Sequence, residues 1–205
     1  MKVFQYSFLL LLLAGMQTGA SAQQRRLTAG IGHTTGIPAG NFREITNKPS
    51  GRGFEVHLQY GVSDRLSVGA QTGFQDFYQK FPRQLLHSPG SDVSAVISNS
   101  VQVIPLMAKG RYRFTTAGAV EPYAALAVGG SLISYQQLYG EVTADQRSKV
   151  GFAAQPELGV RLPVGINKSS GFYLAAGYNY MPFRYHEVDG LSHAVIKAGF
   201  SFALR

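Results

Sequence analysis

Cysteine is missing from all 205 residues. That removes disulfide frameworks, thiolate metal sites, cysteine nucleophiles and a lipid-modified N-terminal cysteine together. Tryptophan is missing too, and charged residues make up only 15% of the chain. Disorder calls for much charge and few aromatics, and a coiled coil for abundant Ala, Glu, Lys and Leu. With 24 Gly, 13 Phe and 11 Tyr the sequence fits neither class. After the first residues, no run approaches the roughly 18 apolar residues that mark a membrane-spanning helix. The charge present leans one way: 19 Lys and Arg against 11 Asp and Glu, formally +8, which favours an anionic partner without naming it.

The first 22 residues read as an export signal. Met1 and Lys2 supply a positive start, Val3 to Ala14 an apolar stretch containing Leu9 to Leu13, and Ala20-Ser21-Ala22 the small residues a signal peptidase reads. The apolar stretch is short for a spanning helix. Cleavage after Ala22 is expected, with residues 23–205 as a single domain; export would follow the general secretory pathway.

From there the period is two. Phe54, Val56, Leu58, Tyr60 and Val62 alternate with Glu55, His57 and Gln59. Leu66, Val68, Ala70 and Phe74 alternate with Ser67, Gly69 and Gln71. Phe152, Leu158, Val160 and Leu162 oppose Lys149, Gln155, Glu157 and Arg161; Phe172, Leu174 and Tyr178 oppose Asn179 and small residues; Ile196, Phe200 and Phe202 oppose His193, Lys197 and Ser201. Such alternation marks strands with one apolar and one polar face. Weaker strands lie over Leu27–Ile31, Ile104–Phe114 and Ala124–Leu132, making eight. Before Ile104 the parity reverses, with Val101 and Val103 against Gln102, which predicts a bulge near Val103-Ile104-Pro105.

The connections alternate in length. Those over 34–52, 77–98, 136–148 and 184–191 are long and polar; those at Ser63-Asp64, 115–121 and 165–170 are short. Short turns on one side and long loops on the other fit an outer-membrane barrel, whose closure leaves no unpaired backbone in hydrocarbon. A soluble β-sandwich or lipocalin-like barrel also has one apolar face. Against it stand the many glycines on the polar face (Gly53, Gly69, Gly73, Gly159, Gly177, Gly199) and the aromatics toward strand ends, as in an interfacial girdle. The reading is all-β: an eight-stranded antiparallel up-and-down transmembrane β-barrel after a cleaved signal peptide.

Ile104-Pro105-Leu106 leading to Gly110-Arg111-Tyr112-Arg113-Phe114, then Glu121-Pro122-Tyr123-Ala124, resembles the central hairpin of the bacterial outer-membrane β-barrel domain family. These are small porin-like proteins common in Bacteroidetes-type Gram-negatives. Lys197-Ala198-Gly199-Phe200-Ser201-Phe202 is similar to that family's closing strand, which often ends on an aromatic; here Ala203-Leu204-Arg205 follow. The resemblance implies a Gram-negative outer-membrane location and recognition by the barrel-assembly machinery, and implies no activity.

Candidate chemistry is sparse. His186, Glu187, Asp189 and His193 lack the H-E-x-x-H spacing of a helical zinc site, and Gly30-x-Gly32 has no following helix to bind a nucleotide. Asn167-Lys168-Ser169 fits a glycosylation sequon but reads as a turn. A lipid A-modifying enzyme needs a serine near a histidine; of the adjacent pairs, Ser192 and His193 point to opposite faces of a strand, and His87-Ser88 lies in a long loop. No enzyme and no cofactor are expected. Basic and aromatic residues lie on opposite faces, which disfavours nucleic acid. Outer-membrane lipids and lipopolysaccharide head groups are the expected counterparts of the loop cations Arg43, Lys48, Arg52, Lys80 and Arg83.

The polar face is the expected lumen. It gathers Glu55 and Glu157 against Lys109, Arg111, Arg113, Lys149, Arg161 and Lys197. Ions in a narrow interior must pair. Depth along each strand predicts Glu157 with Lys109 or Arg111, and Glu55 with Lys197, with Arg161 one layer lower. Phe152, Leu158, Val160, Leu174, Ile196 and Phe200 are expected in lipid. Eight strands leave room only for side chains, so a structural or surface-binding role is favoured over a small-solute pore.

Overall fold

The computed structural model describes residues 27–88, 91–116, 118–139, 142–165, 168–182, 184–185 and 188–204, without the side chains of 83–88, 91–95, 139, 142–147, 184–185 and 188–189. The expected export segment 1–22, Asn167, His186 and Glu187 lie outside the described residues, as do the side chains of Arg83, His87, Ser88 and Asp189.

Period-two patterning becomes strand throughout. The elements are β1 (Leu27–Pro38), a helical turn α1 (Phe42–Ile45), β2 (Ser50–Gly61), β3 (Leu66–Ser88), β4 (Ser91–Arg113), β5 (Glu121–Tyr139), β6 (Val142–Val164), β7 (Ser170–Asn179), the two-residue strands β8 (Arg184–Tyr185) and β9 (Val188–Asp189), and β10 (His193–Leu204). β1 to β7 and β10 form a closed barrel in meander order, with β10 returning to pair with β1; β8 and β9 form a separate two-stranded sheet. Every barrel pairing is antiparallel. Closure abolishes the edge that hydrocarbon cannot satisfy. Among the described residues no helix is long and apolar enough to cross a membrane.

The alternation fixes which face is which. Leu106, Leu158 and Val150 stand outward, 66–69% exposed. So do Phe54, Leu126, Phe152, Leu174 and Ile196, while Glu55, Lys109, Gln155 and Lys197 are buried inside. An apolar outer belt over a polar, filled interior is the arrangement of a lipid-embedded barrel.

Two expectations are corrected. The ladder between β4 and β5 runs unbroken from Ile97 to Arg113, so there is no bulge at Val103-Ile104-Pro105. The β3 register is also the same on both sides of Pro105, with Thr72 opposite Leu106 and Gln75 opposite Val103. Pro105 cannot donate to a ladder, yet it shifts no register. Val101 and Val103 point into the barrel with almost no exposure; the parity reversal marks a change in what lines the lumen. Second, 77–98 and 136–148 are not loops. β3 and β4 stay paired out to Ser88 and Ser91, and β5 and β6 out to Tyr139 and Val142. Beyond the hydrocarbon both faces of a hairpin meet water, so one-sided hydrophobicity disappears while pairing continues. Register shifts lie instead at Thr34/Gly36, Lys80/Arg83 and Gln137/Leu138.

The connection after β1 folds back over the barrel mouth. Gly40 takes a positive φ of 57° to start the return, which glycine does without steric cost. Phe42 and Ile45 on α1 then join a buried cluster with Phe77, Val101, Val103, Met107, Ile133, Met181 and Leu191. Phe42 packs edge-on to Phe77 at 4.9 Å, and Phe77 likewise to His193 at 4.9 Å. The side chain of Asn99 ties the carbonyl of Ile45 at 3.1 Å, and Gln79 accepts from the Asn47 N–H at 2.7 Å.

Candidate functional site

Six of the charged residues expected in the lumen come from alternate strands. Glu55 is on β2, Lys109 and Arg111 on β4, Glu157 and Arg161 on β6, and Lys197 on β10. Between β4 and β6, strand β5 offers only Ala125 and Ala127 at this level, each paired across both ladders. Between β6 and β10, strand β7 offers Ala175 and Gly177. Between β2 and β10, strand β1 offers Gly32. Long side chains two strands apart therefore meet over small ones. The glycines also admit rings: a Cβ at Gly30 would collide with the His57 ring, and one at Gly32 or Gly199 with the Tyr173 hydroxyl. Rings and neighbouring backbone crowd these positions.

Lys109 Nζ lies 3.1 Å from both oxygens of Glu157. Lys197 Nζ donates to Glu157 Oε2 at 2.7 Å, to Glu55 Oε2 at 2.5 Å and to Gln155 Oε1 at 2.8 Å. Tyr123 donates to Glu157 at 3.0 Å and Tyr173 to Glu55 at 3.1 Å. Gln71 donates to Gln155 at 2.6 Å. The four ions are each at most 4% exposed. Charges removed from water this far are tolerable only when paired and hydrogen-bonded, and here each carboxylate receives a tyrosine hydroxyl as well as an ammonium. Lys197 bridges the two carboxylates, so the two expected pairs form one network.

The remaining sites fall elsewhere. Arg111 does not reach Glu157: its guanidinium stacks on the Tyr123 ring, 4.6 Å from the centroid. Arg161 forms a second cluster nearer the short turns, donating to Glu121 at 2.9 Å, to the Lys168 carbonyl at 3.0 Å and to Ser201 at 3.4 Å. Arg113 also approaches Glu121, at 3.6 Å. Lys149 is exposed toward the long-loop end. Glu121, Tyr123 and Tyr173 were not anticipated; inward parity would have found Tyr173 within its own strand and, extended back past Ala124, Tyr123 and Glu121 as well. His193 is fully buried, with Asn179 Nδ2 at 2.9 Å from one ring nitrogen and the Leu191 carbonyl at 3.1 Å from the other, while Ser192 accepts from the Met181 N–H at 3.1 Å. Among the described residues no three potential metal ligands converge.

At the long-loop rim, Arg52 lies 3.6 Å from Asp76 and 5.8 Å from the Tyr78 ring centroid. Arg43 caps the Pro38 carbonyl at 3.0 Å. Arg43, Lys48, Arg52 and Lys80 are all exposed.

With this geometry in hand, the comparisons are direct. Residues 7–203 match the family described as outer membrane protein beta-barrel domain. The chain belongs to that family. It is an integral outer-membrane β-barrel of the Gram-negative type. Among solved structures it is similar to Neisserial surface protein A, at 18% identity and TM-score 0.54, over 91% of this chain and 100% of that one. The attachment invasion locus protein of Yersinia pestis follows at 13% identity and TM-score 0.51, over 89% and 100%. The outer membrane protein OprG of Pseudomonas aeruginosa gives 12% and 0.50, over 89% and 97%. At such identities the likeness is one of fold. No curated protein matches the sequence.

Proposed function

We propose that this barrel is closed to solutes and works through its long-loop end, as a structural or surface-ligand-binding protein of the outer membrane. The observation that carries the reading is the double filling of the lumen. The Glu55–Lys197–Glu157–Lys109 network occupies its middle, and the Phe42–Phe77 cluster under α1 occupies its long-loop end. An eight-stranded barrel has little volume to spare beyond this. The exposed cations Arg43, Lys48, Arg52 and Lys80 supply the binding face, and phosphate-bearing lipopolysaccharide head groups are its counterpart. Export by the general secretory pathway and insertion by the barrel-assembly machinery belong to the same reading.

Planar-bilayer recording of the refolded protein tests the closed state: no steady unitary conductance is expected, and an ohmic channel would favour the small-solute pore. Lipid A binding before and after charge reversal of Arg43, Lys48 and Arg52 tests the surface role. Unchanged affinity would remove lipopolysaccharide as the partner.

A further inference from the structure

Among the described residues, one buried ion of the lumen has no counter-charge. In its middle section Lys109, Arg111 and Lys197 face Glu55 and Glu157, one cation in excess. Lys109 and Lys197 take both carboxylates. Arg111 is 5% exposed, and neither its Nε nor its Nη2 has a hydrogen-bond partner. Its contact with the Tyr123 ring face offsets part of the charge, but a ring face accepts none of the guanidinium's in-plane N–H bonds. Buried, unpaired guanidinium donors are costly.

The surroundings supply a second donor across small residues. Gln59, 2% exposed, has an amide Nε2 without a partner. It stands in the rung Gln59–Gly69–Lys109, next to the rung Gly61–Ser67–Arg111. Between Gln59 and Arg111 the intervening strand β3 offers only Gly69 and Ser67, while Lys109 is drawn away to Glu157. Arg111 is also two residues from Arg113, whose side chain is 30% exposed near the short-turn mouth, so a small ion has a short way in.

We propose that the lumen binds one small monovalent anion, a halide or a carboxylate of formate size, between the Arg111 guanidinium and the Gln59 amide. A single charge matches the single excess cation. Small size follows from the burial of both donors. A bound anion completes the neutralisation of the ionic layer and helps to hold it closed.

The test is unfolding of the barrel in detergent as bromide replaces a bulky organic sulfonate at constant ionic strength, with formate as a parallel series. A ligand that binds only the folded state stabilises by mass action. Unfolding is expected to slow about tenfold once bromide reaches about ten times its dissociation constant. Whichever of bromide and formate acts at lower concentration identifies the ion class. Arg111→Met should abolish the dependence, and Lys149→Met, exposed toward the long-loop end, should leave it intact. Bromide anomalous scattering in crystals of the wild-type protein provides a check that needs no variant: a peak beside Arg111 is expected. No anion dependence in the wild type, dependence that persists in Arg111→Met, or bromide-soaked crystals with only water at Arg111 would each overturn the site.

Discussion

The two halves of the lumen fill the same cross-section with opposite chemistry. Around Glu157, buried ions meet over Ala and Gly at distances of 2.5–3.1 Å. Two rungs toward the long-loop end, Met107, Val103, Val101 and Phe77 form an apolar core that α1 caps with Phe42 and Ile45. The ionic layer is specific: each of its members is held by one to three named partners, so losing one strands another in low dielectric. The apolar layer is adaptable, held by contact and volume, and tolerates exchange when volume is kept. A barrel sealed by both resists opening at either level alone.

Substitutions should separate the halves by size of effect. Glu157→Leu strands Lys109 and removes one of the three contacts of Lys197, and should cost about 3–5 kcal/mol in urea unfolding of the detergent-solubilised barrel. Adding Lys109→Met to it should recover part of that loss, because one stranded charge goes with its partner. Next door on the outer face, Leu158→Arg should cost about 2–4 kcal/mol in lipid vesicles near the midplane, with the lumen unchanged. In the apolar half, Met107→Leu should cost less than about 1.5 kcal/mol. Equal costs for Glu157→Leu and Met107→Leu would erase the distinction. Smallest of all, Arg52→Ala should fall within about 0–1 kcal/mol and fade with salt, since the Arg52 side chain is 70% exposed beside Asp76.

The contrast also explains what was legible in the sequence. Where lipid lies on one side and ions on the other, as at Glu157 and Leu158, parity gives the face of every residue, and depth along the strands brought Glu157 to the level of Lys109. Where the lumen turns apolar, at Val101 and Val103, both faces look alike and the pattern resembles a slipped register. Beyond the hydrocarbon, the hairpins of 77–98 and 136–148 lose one-sided hydrophobicity and read as loops though they pair as strands. Glu121 and Tyr173 escaped for a plainer reason: one sits at the first residue of β5, the other between the outward Phe172 and Leu174 on β7. Arg111 was expected among the carboxylate partners because sequence depth gives level but not the direction a long side chain takes. The role of α1 had no signal at all, since Phe42 is a lone aromatic in a polar connection.

The absence of cysteine opens the most direct test of the sealed lumen. A single cysteine at Ala127, 1% exposed and paired with Lys109 and Gln155 at the junction of the two halves, can be challenged with a small, membrane-impermeant thiol reagent on the folded barrel in vesicles, with Arg52→Cys at the rim as the accessible reference. Arg52→Cys should label promptly and Ala127→Cys should stay protected until the barrel unfolds. Labelling of Ala127→Cys at a rate near that of Arg52→Cys would mean a water column through both layers and would contradict the closed barrel.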